Sequence, residues 1–125
     1  MHDYEKLLKR ARDAREKAYA PYSGFKVGAA LLTAGGHIIT GGNVENASYG
    51  LSICAERAAL FAAVAEGQRD IRAIAVAAPG PTAPCGACRQ VMMELAPDAD
   101  VITEEEGGSL RVQKVRELLP DAFTL

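Results

Sequence analysis

Three cysteines in two short segments constrain this chain more than any other feature of its sequence. The first segment is Ser52-Ile53-Cys54-Ala55-Glu56-Arg57, and the second is Pro84-Cys85-Gly86-Ala87-Cys88-Arg89-Gln90. Three thiolates can hold a zinc ion and leave its fourth tetrahedral position open, which is the layout of a catalytic zinc site. A fold that uses all three must bring the two segments together around one point.

The residues beside the cysteines suit a metal that activates water. Glu56 follows the first cysteine by two residues, and a carboxylate beside the open position can move protons to and from a water molecule there. Each cysteine segment stands where a helix should begin, and a helix N-terminus lowers the pKa of nearby thiols. Arg57 and Arg89 are close enough in sequence to donate hydrogen bonds to sulfur and so tune the metal.

The bulk properties of the chain exclude several classes of protein. Its 125 residues suffice for one compact domain, so residues 1–125 are expected to form a single domain. The formal net charge is -2 and no basic block stands out, which argues against a nucleic-acid partner. No apolar run approaches the ~20 residues that span a bilayer, and the polar N-terminus has no visible secretory signal. A cytoplasmic location without membrane contact is therefore expected.

Hydrophobic periodicity predicts alternating helices and strands. Helices are predicted over residues 3–19, 52–66, 86–95 and 115–119, with Asp3 as the first N-cap, Pro21 closing the first helix and Gly67 ending the second. Strands are predicted over residues 25–33, 37–46, 71–78, 99–103 and 109–113, the first two joined as a hairpin. This order predicts a mixed sheet covered by helices on both faces.

Two of these segments have unusual composition. The helix over 52–66 is apolar on nearly all sides and is therefore expected to be largely buried. Gly41 and Gly42 interrupt the second strand, which predicts a bulge or a close backbone contact. Asn43 and Glu45 would share one face of that strand, as the lining of a cleft or as the wet face of an edge strand. Their spacing alone does not decide between the two.

Other interpretations of the cysteines remain at this point. A redox-active Cys-x-x-Cys pair would leave Cys54 and Glu56 without a role. A closed structural zinc site needs a fourth ligand, for which the chain offers only His2 or His37, and it would suit a binding or structural protein without turnover. An all-sulfur donor set favours zinc, although iron can occupy such a site.

The two cysteine segments together resemble those of the cytidine deaminases, specifically the small homotetrameric type, and match the general pattern of zinc-dependent base deaminases. Three further segments resemble motifs of that family in the same order along the chain. They are a first-strand motif at residues 25–30, a nucleoside-binding segment at residues 43–49 and a C-terminal motif at residues 118–123. The resemblance covers essentially the whole chain.

This resemblance implies a fold, an activity and an assembly. The fold would be a three-layer α/β/α sandwich around a mixed five-stranded sheet. The activity would be zinc-dependent hydrolysis of cytidine, and of deoxycytidine, to uridine or deoxyuridine plus ammonia, in pyrimidine salvage. The assembly would be a homotetramer with one zinc ion per subunit and active sites shared between subunits.

The resemblance also implies a role for each site residue. Cys54, Cys85 and Cys88 would ligate zinc, with Arg57 supporting these ligands, and Glu56 would shuttle protons. Asn43 and Glu45 would bind the ribose hydroxyls, and Phe25 would pack on the pyrimidine. A site in a neighbouring subunit would be reached by Ala47 (through its backbone), Tyr49 and Phe123. A blasticidin-type or nucleic-acid base deaminase is the remaining enzymatic alternative. A tethered nucleic acid usually needs a basic or aromatic channel, and this chain has no tryptophan.

Overall fold

A computed structural model describes residues 3–125 as five strands and four α-helices. In chain order these are α1 (Tyr4–Arg15), β1 (Gly28–Thr33), β2 (Ile38–Gly42), α2 (Ala55–Ala65), β3 (Ile71–Ala77), α3 (Gly86–Leu95), β4 (Asp100–Glu104), β5 (Leu110–Lys114) and α4 (Val115–Leu118), with a 3₁₀ turn at Tyr49–Leu51. The strand order is β2-β1-β3-β4-β5, and only β3 and β4 pair in parallel among these neighbours. The predicted mixed sheet is confirmed.

The sheet separates two hydrophobic layers because side chains alternate along each strand. On β1, Ala30 faces α1, where it packs with Leu7, Leu8 and Ala11. Ala29 and Leu31 face the opposite side and pack against α2 and α3. Helices therefore cover both faces of the sheet, as the predicted three-layer architecture requires. Within the described residues, no helix is both long and apolar enough to cross a membrane.

Close backbone contacts explain the glycines of the central hairpin. A Cβ atom at Gly41 would lie 2.6 Å from the backbone nitrogen of Ala59 in α2, and one at Gly42 would lie 3.0 Å from Cα of Ala18. Both glycines stay in regular register with β1. A bulge or a close backbone contact was predicted at Gly41 and Gly42, and the structure has the close contact.

We expect Gly28→Ala to lower the free energy of unfolding by about 2–3 kcal/mol, since a methyl group forced into a packed site costs energy of this size. A Cβ atom at Gly28 would lie 2.0 Å from the carbonyl oxygen of Ala11, so α1 would have to move off the sheet. Urea unfolding measures the change. Gly80→Ala is the matched control, because its Cβ would meet nothing within 4 Å, and an equal loss in both variants would contradict this account.

Four predicted element ends are wrong by three or more residues. The first strand begins at Gly28 and not at residue 25, and long-range pairing explains the other three. The first helix ends at Arg15, four residues early, because Tyr19 forms a parallel bridge with Val44. The second strand ends at Gly42, since Val44 pairs there with both Tyr19 and Ile53. The same pairing of Ile53 keeps residues 52–54 extended, so α2 begins at Ala55. These bridges draw three separate segments together beside the first cysteine.

The burial predicted for the second helix holds for one face only. α2 buries one face, but Phe61 is 47 % exposed and Val64 is exposed beside it. The predicted stop at Gly67 is confirmed, since this residue has a positive φ of 77° and its N–H donates to the carbonyl of Val64. Phe61 and Val64 line a shallow groove together with Val91 and Leu95 of α3, which are partly buried.

Candidate metal centre and active site

The fold brings the three cysteines together at the N-termini of two adjacent helices. Cys54 is the N-cap of α2, Cys85 is the N-cap of α3, and Cys88 lies in the first turn of α3. Sγ of Cys85 lies 3.7 Å from Sγ of Cys54 and 3.4 Å from Sγ of Cys88. In residues 3–125 these cysteines form a cluster whose ligand atoms all lie within 4.8 Å of one another.

These distances fit a tetrahedral zinc ion. With Zn–S bonds of about 2.3 Å, the sulfurs of a tetrahedral site are separated by about 3.8 Å. The two short separations between sulfurs are close to this value, so little movement would let three thiolates bind one ion. Cys88 is buried and Cys85 is exposed, so solvent reaches the cluster at Cys85.

The surroundings of the cluster favour a thiolate at Cys54 and a protonated thiol at Cys88. The neighbouring Cys88 thiol and the Arg57 guanidinium lower the pKa of Cys54 to about 5 against the opposing effect of burial. The Cys54 thiolate and burial raise the pKa of Cys88. One proton is therefore retained between these two thiols, and a bound cation would displace it, because metal ligands bind as thiolates.

Arg57 and Arg89 have different partners, which corrects one prediction. Arg57 donates from Nη2 to Sγ of Cys54 at 3.5 Å, as predicted, and its Nε is buried with no hydrogen-bond partner among the described residues. Arg89 does not reach sulfur. It donates to the carbonyls of Pro84 and Leu118, so it ties the loop before α3 to the C-terminal helix. Of these two arginines, only Arg57 compensates the charge of the thiolates.

Glu56 lies beside the cluster and is almost completely buried. Its exposed fraction is 5 %, and it occupies the first turn of α2. Burial is the main cause that raises the pKa of this carboxyl, and the nearby Cys54 thiolate raises it further. A carboxyl in these surroundings binds a proton more readily than one in water, which suits proton transfer.

A pocket of about 470 Å³ opens onto Glu56 and two of the cysteines. Its lining includes the predicted residues Phe25, Asn43, Glu45, Tyr49, Cys54, Glu56 and Cys85. The structure therefore brings a polar pair, an aromatic ring and the metal cluster to one cavity. This volume is within the range typical of small-molecule sites.

Asn43 and Glu45 are held by the loop that they face. Asn43 accepts from the N–H of Val27 at 2.8 Å through Oδ1 and donates to the carbonyl of Phe25 at 2.9 Å through Nδ2. Glu45 accepts from the N–H groups of Tyr22 and Ser23 through Oε1 and from the Ser23 hydroxyl through Oε2. These bonds fix the orientation of both side chains at the wall of the pocket.

The predicted residues of a shared site lie in different places. Tyr49 lines the pocket of its own chain and is largely exposed. Ala47 and Phe123 are not among the residues that line it, and the Phe123 side chain is 70 % exposed while its carbonyl accepts from Gln90. Phe123 is therefore available for contact outside its own chain.

Residues 1–104 match the family model of the cytidine and deoxycytidylate deaminase zinc-binding region. The chain belongs to this family. Zinc is accordingly the metal for the three-cysteine cluster, with one ion per chain. Membership of the cytidine deaminase family also explains why Cys54 and Glu56 accompany the Cys-x-x-Cys pair.

Individual members of the family are similar over nearly their full length. A cytidine deaminase of Halalkalibacterium halodurans is 57% identical over 98% of this chain and 95% of its own length. A cytidine deaminase of Sporosarcina psychrophila is 47% identical over 98% of this chain and 92% of its own. The crystal structure of cytidine deaminase from Burkholderia pseudomallei matches with a TM-score of 0.92 at 56% identity, over 98% of this chain and 100% of that one.

The histidines do not complete a closed cysteine site in the described residues. His37 is exposed in the hairpin turn and is not part of the metal cluster, while His2 lies outside the residues that the structure describes. Sequence patterns did not point to several pocket residues, among them Tyr22, Ser23, Thr82 and Ala83. A serine after a proline turn was the only available signal, and it is too common in loops to single out a binding residue.

Proposed function

We propose that this cytidine deaminase family member hydrolyses cytidine and deoxycytidine to uridine and deoxyuridine, with release of ammonia. The observation that carries the proposal is a buried Glu56 beside the three-cysteine cluster, facing a pocket that also contains Asn43 and Glu45. A closed structural metal site has no use for such a carboxylate. The names of the full-length relatives support the same substrate class.

The chemistry is divided between the metal and one side chain. Zinc, when bound, supplies a Lewis acid that lowers the pKa of water and makes it nucleophilic towards C4 of the base. Glu56 accepts the proton that the water releases and delivers a proton to N3 of the pyrimidine. Glu56 then takes the remaining proton from the hydroxyl added at C4 and transfers it to the C4 amino group. The C4–N bond breaks, ammonia leaves, and the C4 carbonyl of the uracil base forms. Phe25 packs against the base, and Cys54, Cys85 and Cys88 hold the metal.

Asn43 and Glu45 keep few hydrogen-bonding positions open for the sugar. Oε1 of Glu45 already accepts two N–H donors and Oε2 accepts one hydroxyl, so one of about four acceptor positions is left. Asn43 uses one of the two acceptor positions on its oxygen and one N–H within the chain, so one N–H and one acceptor position are left. One hydroxyl can accept from Asn43 and donate to Glu45.

We expect kcat/KM for cytidine and deoxycytidine to differ by about fivefold or less, because a second hydroxyl can add one hydrogen bond, to the acceptor position left on Asn43, and one such bond contributes about 1 kcal/mol. Steady-state rates of both substrates with one enzyme preparation measure the ratio. Cytosine, which lacks the sugar, is the control and should react far more slowly. A preference of about one hundredfold for either nucleoside would contradict the count of open hydrogen bonds.

The test of the proposed function is ammonia release from cytidine by the purified protein. The protein is unfolded with a strong zinc chelator, then refolded with and without added zinc. Turnover that requires zinc would support both the reaction and the cofactor. A zinc-loaded protein that binds cytidine without turnover would contradict the proposal and favour a binding protein.

The proposed assembly is a homotetramer with shared sites, in which each chain forms one domain over residues 1–125. Its proposed role is pyrimidine salvage in the cytoplasm, without nucleic-acid partners. Its support is the groove lined by the exposed Phe61 and Val64 and by the partly buried Val91 and Leu95, together with the exposed ring of Phe123. An exposed apolar patch of this kind is typical of an interaction surface. Ala47 and Tyr49 would contribute to the contacts between neighbouring sites.

We expect sedimentation velocity to give a species near four times the 13.2 kDa protomer mass. Phe61→Lys should shift the protein towards smaller species, since a charge in a buried contact is costly. Lys17→Ala, on a different and exposed part of the chain, is the control. A wild-type protein that sediments as a monomer would contradict the shared site.

A further inference from the structure

We propose that Ser23 is a positioning residue that joins the sugar-binding carboxylate of Glu45 to the base-packing residue Phe25. The inference rests on the proposed function, because it takes both residues as substrate contacts. One exposed hydroxyl would then set the distance between the groups that bind the sugar and the base. Nothing in the sequence marks this serine as part of the site.

The Ser23 side chain makes two hydrogen bonds with opposite roles. Its hydroxyl donates to Oε2 of Glu45, and its oxygen accepts from the backbone N–H of Phe25 at 2.9 Å. The backbone N–H of Ser23 also donates to Oε1 of Glu45 at 3.1 Å. One residue therefore contacts both proposed substrate-binding residues directly.

The segment that carries these residues has little other support. Residues 21–27 form no strand, and Gly24, with a φ of 70°, turns the chain with a backbone bond from its N–H to the carbonyl of Ala20 at 2.9 Å. Phe25 is exposed, so packing against the core does not fix its position. Besides the backbone bonds of Gly24 and Val27, the side-chain bonds therefore set the geometry of this loop.

The two anchors of the loop hold different parts of it. Asn43 binds the carbonyl of Phe25 and the N–H of Val27, so it attaches the end of the loop nearest β1. Ser23 binds Glu45 and the N–H of Phe25, so it fixes the opposite end. The Ser23 hydroxyl is also the largest cause that lowers the pKa of Glu45. Loss of the hydroxyl should loosen substrate contacts and leave the fold intact.

The test measures kcat and KM for cytidine in Ser23→Ala and Ser23→Thr. We expect Ser23→Ala to raise KM about tenfold with kcat within about twofold, since the lost contacts act equally in the bound and the transition state. Ser23→Thr keeps a hydroxyl and should restore KM to within about threefold of wild type. Ser109→Ala, at an exposed serine in the β4–β5 turn, is the matched control and should change neither constant.

A double-mutant cycle tests whether Ser23 acts through Glu45. In a Glu45→Ala background, Ser23→Ala should lower kcat/KM by less than about threefold. Each of three results would overturn the inference: a full loss of about tenfold in that background, an unchanged KM in Ser23→Ala, or equal losses in the Ala and Thr variants. In each case turnover by the wild-type protein would leave the proposed function standing. Wild-type protein without turnover would overturn the proposed function, and the inference with it.

Discussion

Glu56→Gln is expected to lower kcat for cytidine by about 10³- to 10⁴-fold, the contribution typical of a lost general acid–base group. The amide of glutamine has nearly the shape of the carboxylate, so the first turn of α2 and the packing around it should persist. It cannot accept a proton from water or deliver one to N3. Because Glu56 is not among the three metal ligands, the zinc content should stay near one ion per chain.

The measurement combines elemental analysis with steady-state kinetics on the same sample. Glu66→Gln, at the exposed end of the same helix, is the matched control and should retain wild-type kcat. KM of the Glu56 variant should change far less than kcat, since the lost proton transfers belong to the reaction itself. Substantial turnover by a zinc-loaded Glu56→Gln protein would refute the role of this residue.

Local sequence patterns predicted the parts of the fold that depend on local chemistry. The buried strand over 71–78 and the helix over 86–95 have the predicted extents to within one residue. The strand is a continuous apolar run, and the helix has a cysteine N-cap followed by residues at helical spacing. The ends near Tyr19 and Val44 differed because their hydrogen-bond partners lie far along the chain. The local helix or strand propensity of a segment does not depend on partners that lie far along the chain.

The site was predictable where its chemistry is rare and unpredictable where it is ordinary. Three cysteines with a nearby glutamate have few uses in a small chain, so their residue types and spacing are enough to predict that they meet. Arg89 was a plausible sulfur donor by spacing, yet its side chain is directed to Pro84 and Leu118. Ser23 is a common residue in a common turn. Its importance depends on Glu45, which only the tertiary structure brings within reach.

Cys85→Ser is expected to reduce the zinc content from about one ion per chain to less than about a tenth, because a hydroxyl is a far poorer zinc ligand than a thiolate. The zinc content is measured after gel filtration with a competing chelator. The two remaining thiolates hold the ion weakly. Cys85 also caps α3 by accepting from the N–H of Cys88 at 3.4 Å. Serine keeps a capping oxygen, so the variant removes the ligand and preserves the helix terminus.

Cys85→Ala separates the two roles of this residue. Both variants should lose zinc, but the alanine variant should be less stable than the serine variant by about 1 kcal/mol, the value of a helix cap. Wild-type protein stripped of metal should unfold close to the temperature of Cys85→Ser, because a ligand bound only to the folded state raises Tm by mass action. Full zinc retention in both variants would show that Cys85 is not a ligand. Equal Tm values for loaded and stripped wild type would instead mean that the ion contributes to catalysis without stabilising the junction of α2 and α3.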